Sequence, residues 1–142
     1  MSYLLDTNVI SELVKPKPAQ SVVDWISSIE SPKFFMSVIT LGEIRKGING
    51  IAHERRKNEI LNWLEKDLPA YFEERILAID AKVADTWGRL QGENAYTLPA
   101  IDGLIAATAL TFNLKLVTRN TKDFINTPVE LVNPWDKIPA LS

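Results

Sequence analysis

The run Ser2-Tyr3-Leu4-Leu5-Asp6-Thr7-Asn8 decides how this chain is read. A short apolar strand ends on a carboxylate, and Val9-Ile10-Ser11-Glu12-Leu13-Val14 continues as a helix. In an open α/β sheet, ligands bind outside the carboxyl ends of the strands, and Asp6 falls there. Thr7 and Asn8 are suited to cap the helix that follows. Taken alone, Asp6 is better read as a simple helix cap. Three later segments, however, offer acids in comparable settings.

Working outward, the first helix stops near Lys15-Pro16-Lys17-Pro18, where the paired prolines mark a turn. Residues 19–30 carry Val22, Trp25, Ile26 and Ile29 at helical spacing, and Ser31-Pro32 ends that helix. Phe34-Phe35-Met36-Ser37 fits a buried parallel strand. Helical periodicity returns from Val38 to Gly47, and again from Glu54 to Leu68 with an end before Pro69. Arg75–Ile79 is a third strand, with Asp80 placed to cap a helix over Ala81–Asn94. Thr97 and Pro99 introduce a helix from Ile101 to Phe112, the proline suiting its first turn. That helix is apolar on nearly every side and is expected to be central and buried. Leu114–Thr118 is a fourth strand and Val129–Val132 a short fifth at the sheet edge. Strands alternating with helices predict an α/β fold with a parallel sheet covered on both faces. No linker, repeat or low-complexity segment divides the chain, so residues 1–142 are expected to form one domain.

Composition removes several chemistries. The chain has 142 residues, 46% of them apolar, which is enough for a real core. With no cysteine there is no thiolate nucleophile and no cysteine-ligated zinc. The single histidine, His53, opens the charged run His53-Glu54-Arg55-Arg56-Lys57 and reads as the solvated start of a helix, which argues against a Ser-His-Asp triad. The net charge of −2 gives no global field for a polyanion, so a nucleic-acid partner would be held by a local patch. The N-terminus has no basic region leading into an apolar core, and no apolar run is long enough to span a bilayer. A soluble, cytoplasmic protein without a membrane partner is the expectation.

The remaining chemistry rests on acids. Glu43 lies one turn into the helix after the second strand, bordered by Ile39 and Gly47; a solvated glutamate on an exposed face fits the spacing equally. Asp102 opens the buried helix, where the helix dipole favours a carboxylate by about 0.3–1 kcal/mol; an acid that merely stabilises its own helix would look the same. Thr118-Arg119-Asn120-Thr121-Lys122-Asp123-Phe124 brings polar groups to the same sheet edge, or forms an ordinary turn. Two unit charges about 4 Å apart repel by roughly 4 kcal/mol at an effective dielectric near 20. Gathering such acids therefore calls for a cation or raised pKa values. Hard oxygen donors without cysteine or histidine select Mg²⁺ or Mn²⁺ over zinc.

Four stretches resemble the motifs of PIN-domain ribonucleases, and most closely VapC-type toxins of toxin–antitoxin pairs. They are Leu4-Leu5-Asp6-Thr7-Asn8-Val9-Ile10, Ser37-Val38-Ile39-Thr40-Leu41-Gly42-Glu43-Ile44, Asp102-Gly103-Leu104-Ile105-Ala106-Ala107-Thr108-Ala109 and Leu116–Phe124. Their order is that of the family, and the likeness runs to about Asn133-Pro134-Trp135. The resemblance implies a three-layer αβα domain around a mostly parallel sheet of four to five strands. It also implies a Mg²⁺ site (Mn²⁺ as the alternative) on Asp6, Glu43 and Asp102, and metal-assisted hydrolysis of RNA that leaves a 5′-phosphate and a 3′-hydroxyl. Asn120 stands where the family often has aspartate, with Asp123 three residues on. Either would supply the fourth polar position. Further implied are a cognate VapB-type antitoxin that covers the active site, and a homodimer.

A net-negative chain with an acidic pocket must still hold RNA. Arg45 and Arg119 are the candidate phosphate contacts, with Lys46 a weaker one. The tryptophans read as core or interface residues, Trp135 pinning the C-terminal tail. Val22, Trp25, Ile29, Ile60 and Leu64 either line a groove for a partner helix or face the chain's own core. Other readings are weaker. A haloacid-dehalogenase-type phosphatase wants a second aspartate where Asn8 stands. A catalytically weak or inactive PIN-like RNA-binding or interaction module rests on the Asn120 departure, and a purely structural distribution of the acids is the third.

Overall fold

The computed structural model describes residues 1–93 and 97–136. In chain order it contains β1 (Tyr3–Leu5), α1 (Thr7–Leu13), α2 (Gln20–Ser27), β2 (Phe34–Ser37), α3 (Val38–Ile48), α4 (Glu54–Asn62), α5 (Leu68–Phe72), β3 (Ile76–Leu77), α6 (Ala81–Glu93), α7 (Ala100–Thr111), β4 (Lys115–Val117) and β5 (Leu131–Val132). The strands form one sheet in the order β3-β2-β1-β4-β5, every pair parallel. The α/β expectation holds, and the sheet has the upper number of the four to five strands expected.

Alternation along the strands builds the layers. Leu5, Phe34, Met36 and Val117 turn to a core shared with Val9, Ile10, Val22, Ile44, Ile60, Leu64 and Phe72 from α1 to α5. Leu4 and Leu116 turn the other way, against Leu90 of α6 and Ile105, Ala106 and Ala109 of α7. Successive strand residues point to opposite faces, so each strand carries apolar side chains into both layers. The result is helix on sheet on helix, with α7 buried from Ile105 to Ala109 as its composition requires.

The chain moves outward from β1 to β3 and then returns to place β4 on the other side of β1. The switch in direction lies between β1 and β4, and α/β sheets hold their ligands in the crevice at such a point.

Some local expectations are corrected. Asp6 itself caps α1, accepting the Thr7 N–H on Oδ1 at 2.8 Å, so neither Thr7 nor Asn8 is the cap. The helical path does not end before Pro69. A π-type turn over Trp63–Asp67 loosens the hydrogen-bond ladder, and the chain enters α5 with Pro69 in its first turn, where a missing N–H costs nothing. Pro99 precedes α7 rather than joining its first turn. Asp80 does cap α6, accepting from Val83 N at 3.0 Å; the expected helix end at Asn94 lies outside the described residues. His53 caps α4 through Nδ1, 3.3 Å from Arg56 N. Val22, Ile60 and Leu64 are buried in the chain's own core, and Trp25 and Ile29 pack against it, while Trp25 and Ile60 also line clefts, Trp25 beside Val132 and Pro134.

Candidate active site

Asp6 follows β1, and its N–H donates to Val117 O at 2.9 Å, extending the ladder by one rung beyond the strand. Its Oδ2 accepts the hydroxyl of Thr118 at 2.8 Å. With Oδ1 on Thr7 N, each carboxylate oxygen is fixed by one donor and keeps lone-pair capacity for another. Thr118 is fully buried at the end of β4. Its single proton goes to Asp6, so its oxygen accepts from Asn8 Nδ2 at 3.2 Å and from Asn120 N at 3.1 Å. One hydroxyl thus ties the first motif to the fourth.

Glu43 is held in the same way. Thr7 Oγ1 donates to Glu43 Oε1 at 2.5 Å, and because that uses its only proton, Thr40 donates to Thr7 across 3.0 Å. Thr40 is buried one turn before Glu43 on α3. Glu43 is therefore tethered rather than solvated, and it borders two clefts. One, of about 580 Å³, includes Lys46 and Ile101; the other, of about 300 Å³, includes Thr7, Val14, Ile48 and Arg56.

The carboxylates sense one another. Burial raises the Asp6 carboxyl above its ordinary range, opposed by the Thr118 and Thr7 hydrogen bonds and reinforced by the charges of Glu43 and Asp102. Asp102, in the first turn of α7, is raised by burial and then by the charges of Asp123 and Glu43. Asp123 is exposed on the 3-10 turn Thr121–Phe124, which Asn120 introduces. Asp6, Glu43, Asp102 and Asp123 thus form a chain of acids that feel one another's charge, and Asn120 is tied to the end of β4 through its N–H on Thr118. The two arginines part company. Arg119 flanks Thr118, whereas Arg45 pairs with Glu65 at 3.5 Å on the π-type turn. Glu12 is a different kind of acid. It is buried against Lys15 Nζ and Ala19 N, each at 2.8 Å, and these bonds hold its carboxyl below the ordinary range.

Among the described residues, no three acidic or imidazole side chains converge tightly enough to hold one ion as they stand. The donor chemistry nevertheless fits a hard divalent cation. The groups are oxygens alone, and they repel one another where a cation would relieve them. Sequence reasoning missed the threonine hydroxyls of residues 7, 40 and 118 as the groups that aim the acids. A hydroxyl directly after a strand, or one turn before an acid, was the available signal.

A parallel αβα sheet with carboxylates at its switch point defines the class of this molecule, and comparison gives the family. The PIN domain matches residues 3–130. The chain is 36% identical to Toxin FitB of Neisseria gonorrhoeae over 93% of this chain and 97% of that one. It is 31% identical to VapC ribonuclease Y4jK of Sinorhizobium fredii over 94% and 97%. Among solved structures it is similar to FitAcB from Neisseria gonorrhoeae, with a TM-score of 0.87 and 36% identity over 95% of this chain and 99% of that chain. This chain belongs to the PIN-domain family.

Proposed function

We propose that this protein is a divalent-metal-dependent endoribonuclease and the toxin of a toxin–antitoxin pair. The observation that carries the reading is that Glu43 and Asp102 act on Asp6 through their charge at the β1/β4 switch, with Asp6 and Glu43 each held by a threonine hydroxyl. Relatives named VapC ribonuclease and Toxin FitB support it.

In this reading Asp6, Glu43 and Asp102 would hold Mg²⁺ or Mn²⁺, which when bound would supply an activated water and charge neutralisation at the phosphate. The chain's own part is orientation. Thr118 and Thr7 N fix the Asp6 carboxylate, Thr7 delivers Glu43, and the buried packing of α7 sets Asp102. Asn120 and Asp123, on the exposed turn, bind and orient water or substrate beside these three. Arg119 supplies a phosphate contact; Arg45, already paired with Glu65, is the weaker candidate. The partners are RNA, a cognate VapB-type antitoxin and a second copy of the chain. The cytoplasm is the working compartment, and no described helix is long and apolar enough to cross a membrane.

The test is cleavage of RNA by protein freed of antitoxin, with Mg²⁺ or Mn²⁺, beside EDTA and Asp6→Ala controls. Cleavage that needs both metal and Asp6 is the expected result. Binding of RNA without metal-dependent cleavage would overturn it in favour of the interaction-module reading.

A further inference from the structure

Arg119 leaves the end of β4 with its backbone clamped on both sides. Its N–H donates to Asn8 Oδ1 at 3.2 Å, and its carbonyl accepts Asn133 Nδ2 at 3.5 Å. The same Asn133 accepts the Trp135 N–H on Oδ1 at 2.9 Å, so one side chain links both residues. Thr118 N donates to Val132 O at 2.9 Å, tying the segment before Trp135 to β4. The Arg119 guanidinium then lies over the Trp135 ring, 5.2 Å from its centroid.

This cation is exposed, and among the described residues it has no carboxylate within ion-pair distance. Glu12, whose carboxylate feels its charge, is already committed to Lys15 and to Ala19 N. A guanidinium held over a ring is restrained and keeps N–H donors that match a phosphate. It stands one residue from Thr118, the hydroxyl that fixes Asp6. A polyanion bound to a net-negative chain needs such a fixed positive charge to hold it. Trp135 also packs against the core through its other contacts, so it is a fixed support.

We infer that Trp135 is a positioning residue which holds the Arg119 guanidinium as a contact for an RNA backbone phosphate at the end of β4. The inference rests on the ribonuclease reading and gives its substrate-binding side a specific pair of residues.

The test measures binding of a labelled single-stranded RNA pool to an Asp6→Asn parent by fluorescence anisotropy at several salt concentrations. Wild-type cleavage is followed in parallel. Arg119→Ala is expected to weaken binding about tenfold and to reduce the slope of log Kd against log salt by about 0.7, the loss of one phosphate contact on a single strand. Trp135→Leu keeps an apolar side chain in the core but removes the π face, and it should reproduce both effects. Trp135→Phe should restore most of the binding. The Arg119→Ala/Trp135→Leu double variant should bind no more weakly than either single variant. Lys33→Ala, before β2 at the opposite sheet edge, should change nothing.

An unchanged salt slope in Arg119→Ala overturns the inference. So does a Trp135→Leu effect that persists in full without Arg119, which would mean that the ring acts on its own. An RNA-binding parent whose wild-type form cuts nothing overturns the ribonuclease reading, and the slopes still decide the Arg119–Trp135 pair. A parent that binds no RNA overturns both.

Discussion

Thr118 donates its hydroxyl proton to Asp6 Oδ2 at 2.8 Å, across 112 positions of sequence. The bond joins the ends of the two strands that flank the switch point and leaves the Thr118 oxygen to accept from Asn8 and Asn120. Thr118→Val would strand all three partners. The expected loss is about 1–3 kcal/mol of stability, seen as a lower melting temperature. Mn²⁺ affinity by calorimetry should fall roughly tenfold or more, the scale on which groups that orient metal ligands act.

The carboxylates give pH dependences of opposite sign. A raised Asp102 pKa means the folded chain holds this proton more tightly than the unfolded chain does. That contribution favours folding below the unfolded aspartate range, about pH 4, and is lost as pH rises through the raised folded value. Without metal at neutral pH, Asp102→Asn should therefore raise the melting temperature by a few degrees. With Mg²⁺ present it should abolish the metal-induced rise. Equal destabilisation in both conditions would sink the cluster.

Glu12 behaves in reverse. Its lowered pKa contributes stability above the unfolded glutamate range, about pH 4.3, and the contribution disappears as pH falls through the depressed folded value. Glu12→Gln should cost roughly 1–2 kcal/mol near neutrality by weakening the bonds from Lys15 and Ala19 N. Acid titration of the melting temperature should show a smaller drop in the variant.

Gly103 sits where a Cβ would come within 3.0 Å of Gln91 Nε2 and of Trp87 Nε1. Gly103→Ala should push α7 from α6 at a cost of about 1–3 kcal/mol, and it should reduce cleavage per folded molecule because Asp102 is the preceding residue. Among the described residues, the Trp87 indole N–H is buried without an acceptor. Trp87→Phe should be neutral or raise the melting temperature, since an unsatisfied buried donor is removed.

Arg75 lies away from the crevice and donates to the carbonyls of Ser31, Phe34 and Tyr71 at 2.5–2.6 Å. Two residues earlier, Glu73 adopts φ 52° and ψ −121°, a conformation that glycine enters more cheaply. Arg75→Ala should destabilise by a few kcal/mol with cleavage per folded molecule unchanged. Glu73→Gly should stabilise by roughly 1 kcal/mol. Thermal melts beside single-turnover cleavage separate the two effects.

Legibility differed by element. Leu4-Leu5-Asp6, Phe34–Ser37 and Leu116-Val117 were readable as strands because apolar runs bounded by polar residues carry their own signal. The passage through Pro69 was not, because whether proline ends a helix depends on which carbonyls the preceding turn has already released. Arg45 and Arg119 looked alike in sequence, and only packing set one against Glu65 and the other over Trp135.

The sequence by itself determined the alternation of strands and helices, the oxygen-only donor set, and the positions of Asp6 at the end of a strand and Asp102 at the start of a helix. Those are properties of spacing within a few residues and of composition. Tertiary structure alone decided that Asp6, Glu43, Asp102 and Asp123 lie within reach of one another's charge, and that the hydroxyls of Thr7, Thr40 and Thr118 aim the first two acids. Strand order brings β4 beside β1, and a hydrogen bond is satisfied by whichever donor lies about 3 Å away, however distant in sequence.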